Sequence, residues 1–313
     1  MKDFNIDIKP SPEISQKVGV RGRHLRLKVS VSVCAYNEEK YIGKLLRALL
    51  DQTFNDFEIV LIDDNSNDNT LKIVKSFSDS RIRYVRNDTR LGYARSSNKS
   101  LQFCAGDYVF FTGGDCVVAN DWIEQGLKCF ETENCAGVEG TICYVSKEYR
   151  PTYSDYVMRN DAPGSFMTGC MAYRRSVLKE VGGFDERYTY GSDRNLGLKV
   201  LRAGGRIIFN QDMRVFHPQH IRGIREFVQT AERVKVRVLF FKEFRDKPNI
   251  IWRVFAPADL FEILFPPAIL VSLLVNRYRK WDDFKLLPFI FVRAVYERYC
   301  LWRECIRERV FLI

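Results

Sequence analysis

The chain has 313 residues, 46% of them apolar and 28% charged. That size allows about two domains, and the composition excludes a largely disordered chain. With 19 glycines and 10 prolines it also excludes collagen-like and low-complexity designs. The net charge is +10, and nearly all of it falls late. Residues 1–200 hold 28 basic and 27 acidic groups, residues 201–313 hold 21 and 12. A neutral body with a cationic final third points to an anionic partner for that third, lipid head groups or nucleic acid.

Residues 1–27 are polar, carry Pro10 and Pro12, and close on a basic cluster; they read as an arm. They contain no apolar h-region, so no secretory signal is expected. The nine cysteines form no CxxC pair and read as reduced thiols, several of them buried.

From Val29 the periodicity switches on. Val29–Cys34, Phe57–Ile62, Ile82–Val85 and Tyr108–Phe111 read as strands. Glu38–Leu50, Leu71–Phe77, Ala94–Cys104 and Asp121–Phe130 read as helices between and after them. This rhythm predicts right-handed βαβ units and a mostly parallel sheet covered on both faces. Further strand-like stretches lie near Cys135–Tyr144 and Arg206–Phe209. Residues 222–245 read as one long amphipathic helix, with Ile224, Phe227, Ala231, Val234, Val238 and Phe241 as its stripe.

In such a sheet, ligands bind beyond the carboxyl ends of the strands. The segments there are Ala35-Tyr36-Asn37-Glu38-Glu39, then Asp63-Asp64-Asn65-Ser66-Asn67-Asp68-Asn69-Thr70, then Thr112-Gly113-Gly114-Asp115. Neither GxGxxG nor GxxxxGK[ST] is present, which argues against a dinucleotide fold and excludes a P-loop. Side chains of the second segment are natural turn and helix-cap acceptors. Capping needs only one of two adjacent carboxylates, so the other is a candidate for a ligand's N–H or hydroxyl.

The stretch from Val29 to Thr70 resembles the opening of the family 2 glycosyltransferases, inverting enzymes with a nucleotide-sugar-binding GT-A fold. GDYVFFTGGDC, SFMTGCMAYRRSVLKEVGGFDE, GSDRNLGLKVLRAGGRI and VFHP follow in the family's order, so the likeness spans roughly residues 29–220. It implies an α/β fold: a GT-A-type, mostly parallel central sheet flanked by helices (Rossmann-like), over residues 28–221. Residues 222–313 would form a basic, helical, membrane-associated region. It implies that Ala35, Tyr36 and Glu38 line the base and ribose pocket, that Asp64 accepts from the base, and that Asp63 supports the strand end. Gly114 and Asp115 would meet the donor, and Asp115 with His217 would hold Mg²⁺ or Mn²⁺ on its diphosphate; His220 has no such support. Thr168, Gly169 and Cys170 would line the sugar and acceptor side, Phe184 and Asp185 would shape a turn, and Asp193 would be the general base.

Three departures from the pattern stand out. Gly113 replaces the first carboxylate of the metal motif, Ser192 replaces a glutamate before Asp193, and Ser97-Asn98 replaces Arg-Asn, with Arg95 two positions earlier. The lost carboxylate keeps a non-catalytic sugar-nucleotide-binding protein in view. Gln229 is followed by TAERV, not by the xxRW of processive synthases, so transfer of a single sugar is expected. The acceptor implied is a lipid-linked or cell-surface glycan, with polyprenyl phosphate as the alternative.

Residues 257–275 and 286–295 are apolar, but Asp259, Glu262, Pro266-Pro267 and Arg293 interrupt them. With Trp252, Trp281 and Trp302 at their flanks they suit attachment to the cytoplasmic face of the cell membrane, peripheral, monotopic or re-entrant. No nucleic-acid-binding module is legible, and oligomerisation is left open.

Overall fold

The structure is a computed structural model that describes residues 29–144, 160–218, 223–244, 285 and 287–310. The expected N-terminal arm, His220 and the apolar stretch 257–275 lie outside the described residues. The chain divides into two compact units. One comprises Met1–Cys143, Asn160–Asp185 and Asp193–Phe216; the other comprises Tyr144–Arg159, Glu186–Ser192 and His217–Ile313.

The first unit is built on an eight-stranded sheet. Its strands are β1 (Val29–Ala35), β2 (Phe57–Asp63), β3 (Ile82–Arg86), β4 (Tyr108–Gly113), β5 (Val117–Val118), β6 (Gly137–Tyr144), β7 (Met171–Arg174) and β8 (Ile207–His217), in the order β3-β2-β1-β4-β7-β6-β8-β5. The run β3-β2-β1-β4 is parallel, as the sequence rhythm requires. β7 then pairs antiparallel with β4 and β6, and β5 pairs antiparallel with β8, so the sheet as a whole is mixed rather than mostly parallel. The α/β class and the GT-A-type arrangement of helices around a central sheet agree with expectation.

The helices of this unit are α1 (Ile42–Leu50), α2 (Thr70–Lys75), α3 (Tyr93–Phe103), α4 (Trp122–Thr132), α5 (Arg175–Glu180) and α6 (Ser192–Arg202). On α1 the buried face is Ile42, Leu45, Leu46 and Leu49. Strand β1 alternates Val and Ser yet is buried along both faces. Val31 and Val33 enter the apolar core, while the hydroxyl of Ser32 bonds that of Ser100 on α3. Ser30 donates to Glu58 Oε1 at 2.7 Å. Hydroxyls on this face satisfy one another, and their small size lets a helix carrying Ser96, Ser97 and Ser100 lie close to the sheet.

The second unit contains α7 (Ile224–Gln229), α8 (Lys235–Phe244) and α9 (Leu287–Glu308). The single helix expected over 222–245 is interrupted by a 3-10 turn at Thr230–Val234. Thr230 Oγ1 donates to the Phe227 carbonyl at 2.6 Å, the kind of side-chain competition that tightens a helical turn. The stripe still holds: Phe227, Ala231, Val234 and Val238 are buried, and Val234 and Val238 pack with Cys300, Leu301 and Cys305 of α9. Ile224 alone of the expected stripe is exposed. No helix among the described residues is long and apolar enough to cross a membrane.

Candidate active site

The carboxyl ends of β1, β2 and β4 meet because the strands pair in register: Ala35 lies opposite Asp63, and Cys34 opposite Gly113. The loop after β1 is stitched to the loop after β2. Asn37 N donates to Ser66 Oγ at 2.9 Å, Glu38 N to Thr70 Oγ1 at 2.8 Å, and Glu39 N to Asp68 Oδ2 at 3.0 Å. Burial pushes the Asp68 carboxyl up, but hydrogen bonds from Thr70 and Glu39 outweigh it and hold the group below its usual range.

The two adjacent aspartates have separate internal tasks. Asp63 is fully buried; it accepts from Ser66 N at 2.8 Å and from the Tyr84 hydroxyl at 2.5 Å, with Arg86 3.8 Å away. It supports the strand end, as expected. Asp64 reaches across to the segment before α3. Its Oδ1 accepts from Leu91 N, Asn87 Nδ2 and Ser96 Oγ at 2.7, 2.8 and 3.0 Å, and its Oδ2 accepts from Gly92 N at 2.8 Å. Burial alone would raise this carboxyl, yet those bonds carry it below the ordinary value. A carboxylate offers about four acceptor positions, so three donors saturate Oδ1 and any ligand contact falls to Oδ2. Above the same end, the Arg90 guanidinium lies 3.9 Å from the centre of the Tyr36 ring. Arg95, by contrast, is exposed on α3.

The β4 end is shaped by its glycines. A side chain at Gly114 would come within 3.0 Å of Ala35 and 3.1 Å of Glu38, so glycine lets the β1 and β4 ends lie this close. At Gly113 a Cβ would fall 2.6 Å from Asp115 Oδ1 and 3.2 Å from the Cys116 thiol. The glycine in the first place of the motif therefore makes room for the Asp115 carboxylate to turn back towards Cys116. Burial, then the charges of Asp115 and Asp68, push Glu38 up to about 8. Glu38 thus stands beside Asp115 as a second acidic group.

β5 pairs Val117 with Phe216, which brings the end of β8 alongside this turn. Ligand atoms of Asp115, Cys116 and His217 lie within 4.8 Å of one another. His217 is buried, and its Nδ1 lies 2.6 Å from the Pro218 carbonyl, which can only accept. That bond places the proton on Nδ1 and makes Nε2 the nitrogen able to meet a metal. Carboxylate and imidazole donors at this spacing fit a divalent cation, and the imidazole favours Mn²⁺ over Mg²⁺. Cys116 was not foreseen; only the His217 pairing reveals it.

A second group gathers around α6. Asp193 sits in the first turn, half-buried, with Oδ1 accepting from Arg194 N at 2.8 Å and Oδ2 from Thr168 N at 3.4 Å. It does serve the helix terminus, and capping leaves its basicity intact. Burial raises its pKa, and the N–H groups of Arg194 and Thr168 offset only part of the rise. Tyr93 is 36% exposed, but its phenol hydrogen-bonds Thr168 and Ser97 and feels the Asp193 charge. Tyr93 was missed because nothing in the local pattern of a helix N-terminus marks it. Its ring stacks edge-on against Phe184 at 5.8 Å, and Asn98 clamps the Phe184 backbone through Oδ1 and Nδ2 at 2.8 and 2.9 Å. Phe184, expected to shape the turn, is instead a core side chain, and the turn itself is made by Gly182 and Gly183 at positive φ.

Glu139 was also missed. This buried carboxylate accepts from the N–H groups of Gly164, Ser165 and Phe166 at 2.7 to 3.0 Å and from Asn160 Nδ2 at 2.8 Å. Phe166 is thereby held at φ +55°. Its ring fills the space over Gly197, where a Cβ would clash at 2.4 Å, one turn along α6 from Asp193. Cys170 requires a correction. Grouped by resemblance with Thr168 and Gly169 on the acceptor side, it turns its side chain into the core instead. It is 0% exposed, its thiol donates to the Met213 carbonyl at 3.2 Å and accepts from Trp122 Nε1 at 3.3 Å.

Residues 30–182 match the family model described as Glycosyl transferase family 2. The match spans 153 of the 313 residues and takes in the β1, β2 and β4 ends described above. The chain is a glycosyltransferase. An uncharacterized glycosyltransferase of Haemophilus influenzae is 27% identical over 300 residues, 84% of this chain and 90% of its own length. The Escherichia coli protein named UDP-Glc:alpha-D-GlcNAc-diphosphoundecaprenol beta-1,3-glucosyltransferase WfgD is 28% identical over 154 residues, 49% of this glycosyltransferase and 56% of its own chain. Among solved structures, the mannosyltransferase PcManGT from Pyrobaculum calidifontis, in complex with GDP-Man and Mn²⁺, superposes with a TM-score of 0.62 at 20% identity. The match covers 94% of this chain and 90% of that one, a likeness of fold.

Proposed function

We propose that this enzyme moves one sugar, with inversion, from a nucleoside-diphosphate sugar to a hydroxyl of a lipid-linked or cell-surface glycan. The observation that carries the reading is Asp193: a carboxylate of raised basicity on a helix terminus, touched by Thr168 and close to the Tyr93 phenol. Inversion needs attack on the anomeric carbon from the face opposite the diphosphate, with the acceptor proton removed as the bond forms. Asp193 takes that proton while the C–O bond to the diphosphate breaks. Ala35, Tyr36, Glu38, Gly114 and the remaining acceptor position of Asp64 line the donor side; Thr168 and Gly169 line the acceptor side. Asp115 and His217, with Cys116 beside them, would hold a divalent ion, which when bound neutralises charge on the departing diphosphate.

The comparisons support the donor class. The E. coli relative is named for UDP-Glc and the archaeal structure holds GDP-Man, so a nucleotide sugar is common to both while the base differs. The name of the E. coli relative also carries a diphosphoundecaprenol-linked acceptor. Such an acceptor fits work at the cytoplasmic face of a membrane by a protein attached from one side.

The test is release of nucleoside diphosphate from a panel of UDP-, GDP- and dTDP-sugars with Mn²⁺, with and without a diphosphopolyprenyl-linked glycan. Release from one donor, stimulated by the lipid-linked glycan, is expected. Release stimulated instead by polyprenyl phosphate overturns the hydroxyl acceptor, and no binding or turnover of any donor overturns the enzyme reading.

A further inference from the structure

Six large apolar side chains on α9 face outward: Phe289, Val292, Val295, Tyr299, Trp302 and Ile306. Trp302 is 52% and Ile306 80% exposed. From one to the next the steps are three or four residues, so they form one stripe along the helix. The opposite face is occupied. Ala294, Cys300, Leu301 and Cys305 are buried, the latter three with Val234 and Val238. A continuous apolar stripe on the outer face of an already packed helix marks an interaction surface.

The charges beside the stripe identify its partner. Every carboxylate of α9 is turned inward or paired. Glu297 binds Arg237 and Arg293 at 3.1 and 2.9 Å, Glu304 binds Arg307 at 2.7 Å, and Glu308 binds Lys242 at 2.7 Å. The exposed charged side chains from Leu287 to Val310 are Arg303, Arg307 and Arg309, all cationic. The Arg303 guanidinium lies 5.6 Å from the centre of the Tyr299 ring, and that of Arg298 lies 6.0 Å from the centre of the Trp302 ring. Aromatic rings with arginines beside them suit the boundary between head groups and acyl chains. A second copy of this chain is a poorer occupant, because two such faces set arginines against arginines with no exposed α9 carboxylate to answer them.

We propose that the outward face of α9 docks on an anionic lipid surface, with the apolar stripe in the interface and Arg303 and Arg309 on the head groups. This rests on the reading of the acceptor as lipid-linked and names the surface that would bring the enzyme to it. Each arginine near an anionic surface contributes about fivefold in affinity, and the stripe adds to this by burial.

The test is cosedimentation of the full chain with phosphatidylcholine vesicles, with and without about one third phosphatidylglycerol, in the absence of donor and acceptor. The wild type is expected to bind the anionic vesicles at least tenfold more tightly than the neutral ones. Trp302→Ser with Ile306→Ser should lower that affinity at least tenfold while leaving nucleoside-diphosphate release from the donor unchanged. Wild-type indifference to anionic vesicles overturns the proposal, as does wild-type binding by the double variant. Light scattering that shows a dimer broken by the double variant, with vesicle affinity unaltered, assigns the stripe to a second copy and also overturns it. Since vesicle binding is read without sugar transfer, either result leaves the transferase reading to its own test.

Discussion

Asp193→Asn lowers turnover by about 10²- to 10⁴-fold, the range that a positioned general base contributes, and leaves donor affinity nearly unchanged. The substitution keeps the shape that accepts from Arg194 and Thr168 and removes the basicity. Because burial holds the Asp193 pKa above the usual carboxylate range, wild-type kcat should rise with pH through that elevated value, and the Asn variant should not follow it. The same shift sets the sign for stability. A carboxyl whose pKa is raised by folding is cheapest when protonated, so its ionised form costs stability above the folded pKa, and the cost fades as pH falls through it. Asp193→Asn is therefore expected to melt higher than wild type near pH 7.5 and to lose that advantage in the acidic range. A cost of about 1 kcal/mol would appear as about 2–4 °C in Tm. Thermal melts across pH with steady-state rates on the same samples check both halves.

The second large effect belongs to Asp115. Asp115→Ala should weaken Mn²⁺-dependent donor binding at least tenfold, to the level seen without metal, and leave the fold intact, since the side chain lies at a turn beyond the β4 end. Titration calorimetry of the donor with Mn²⁺, with Mg²⁺ and with chelator resolves the metal-dependent part. Stronger support from Mn²⁺ than from Mg²⁺ is expected from the His217 imidazole. Equal donor affinity for wild type and variant in Mn²⁺ would remove Asp115 and His217 from the metal role.

The parallel half of the sheet was legible because its strands are short apolar runs separated by helices of clear period. Of the antiparallel half, only β6 and the start of β8 were legible. β5 has two residues and β7 four, too few to carry a pattern, and β8 continues through the polar Asn210, Gln211 and Asp212, which resemble a loop. The long helix before α9 was read correctly in its apolar stripe, but a single threonine hydroxyl bonding back to Phe227 decided where the turn tightens. At the site, residues that follow strands directly could be named from position alone. Tyr93, Arg90, Cys116 and Glu139 could not, because their roles come from partners distant in sequence, or, for Cys116, from the strand that brings His217 alongside. Cys170 failed for the converse reason: the motif places its backbone, while its side chain turns to Trp122 and Met213, partners distant in sequence.

The central claim is inverting transfer assisted by Asp193, and the stereochemistry of the first product formed tests it most directly. An α-linked nucleotide sugar accepted by the enzyme should give a β-glycoside of the acceptor, read from the anomeric proton coupling or its equivalent for the sugar concerned. An α-glycoside formed from that donor would mean retention, and would contradict both the single-displacement geometry and the role assigned to Asp193.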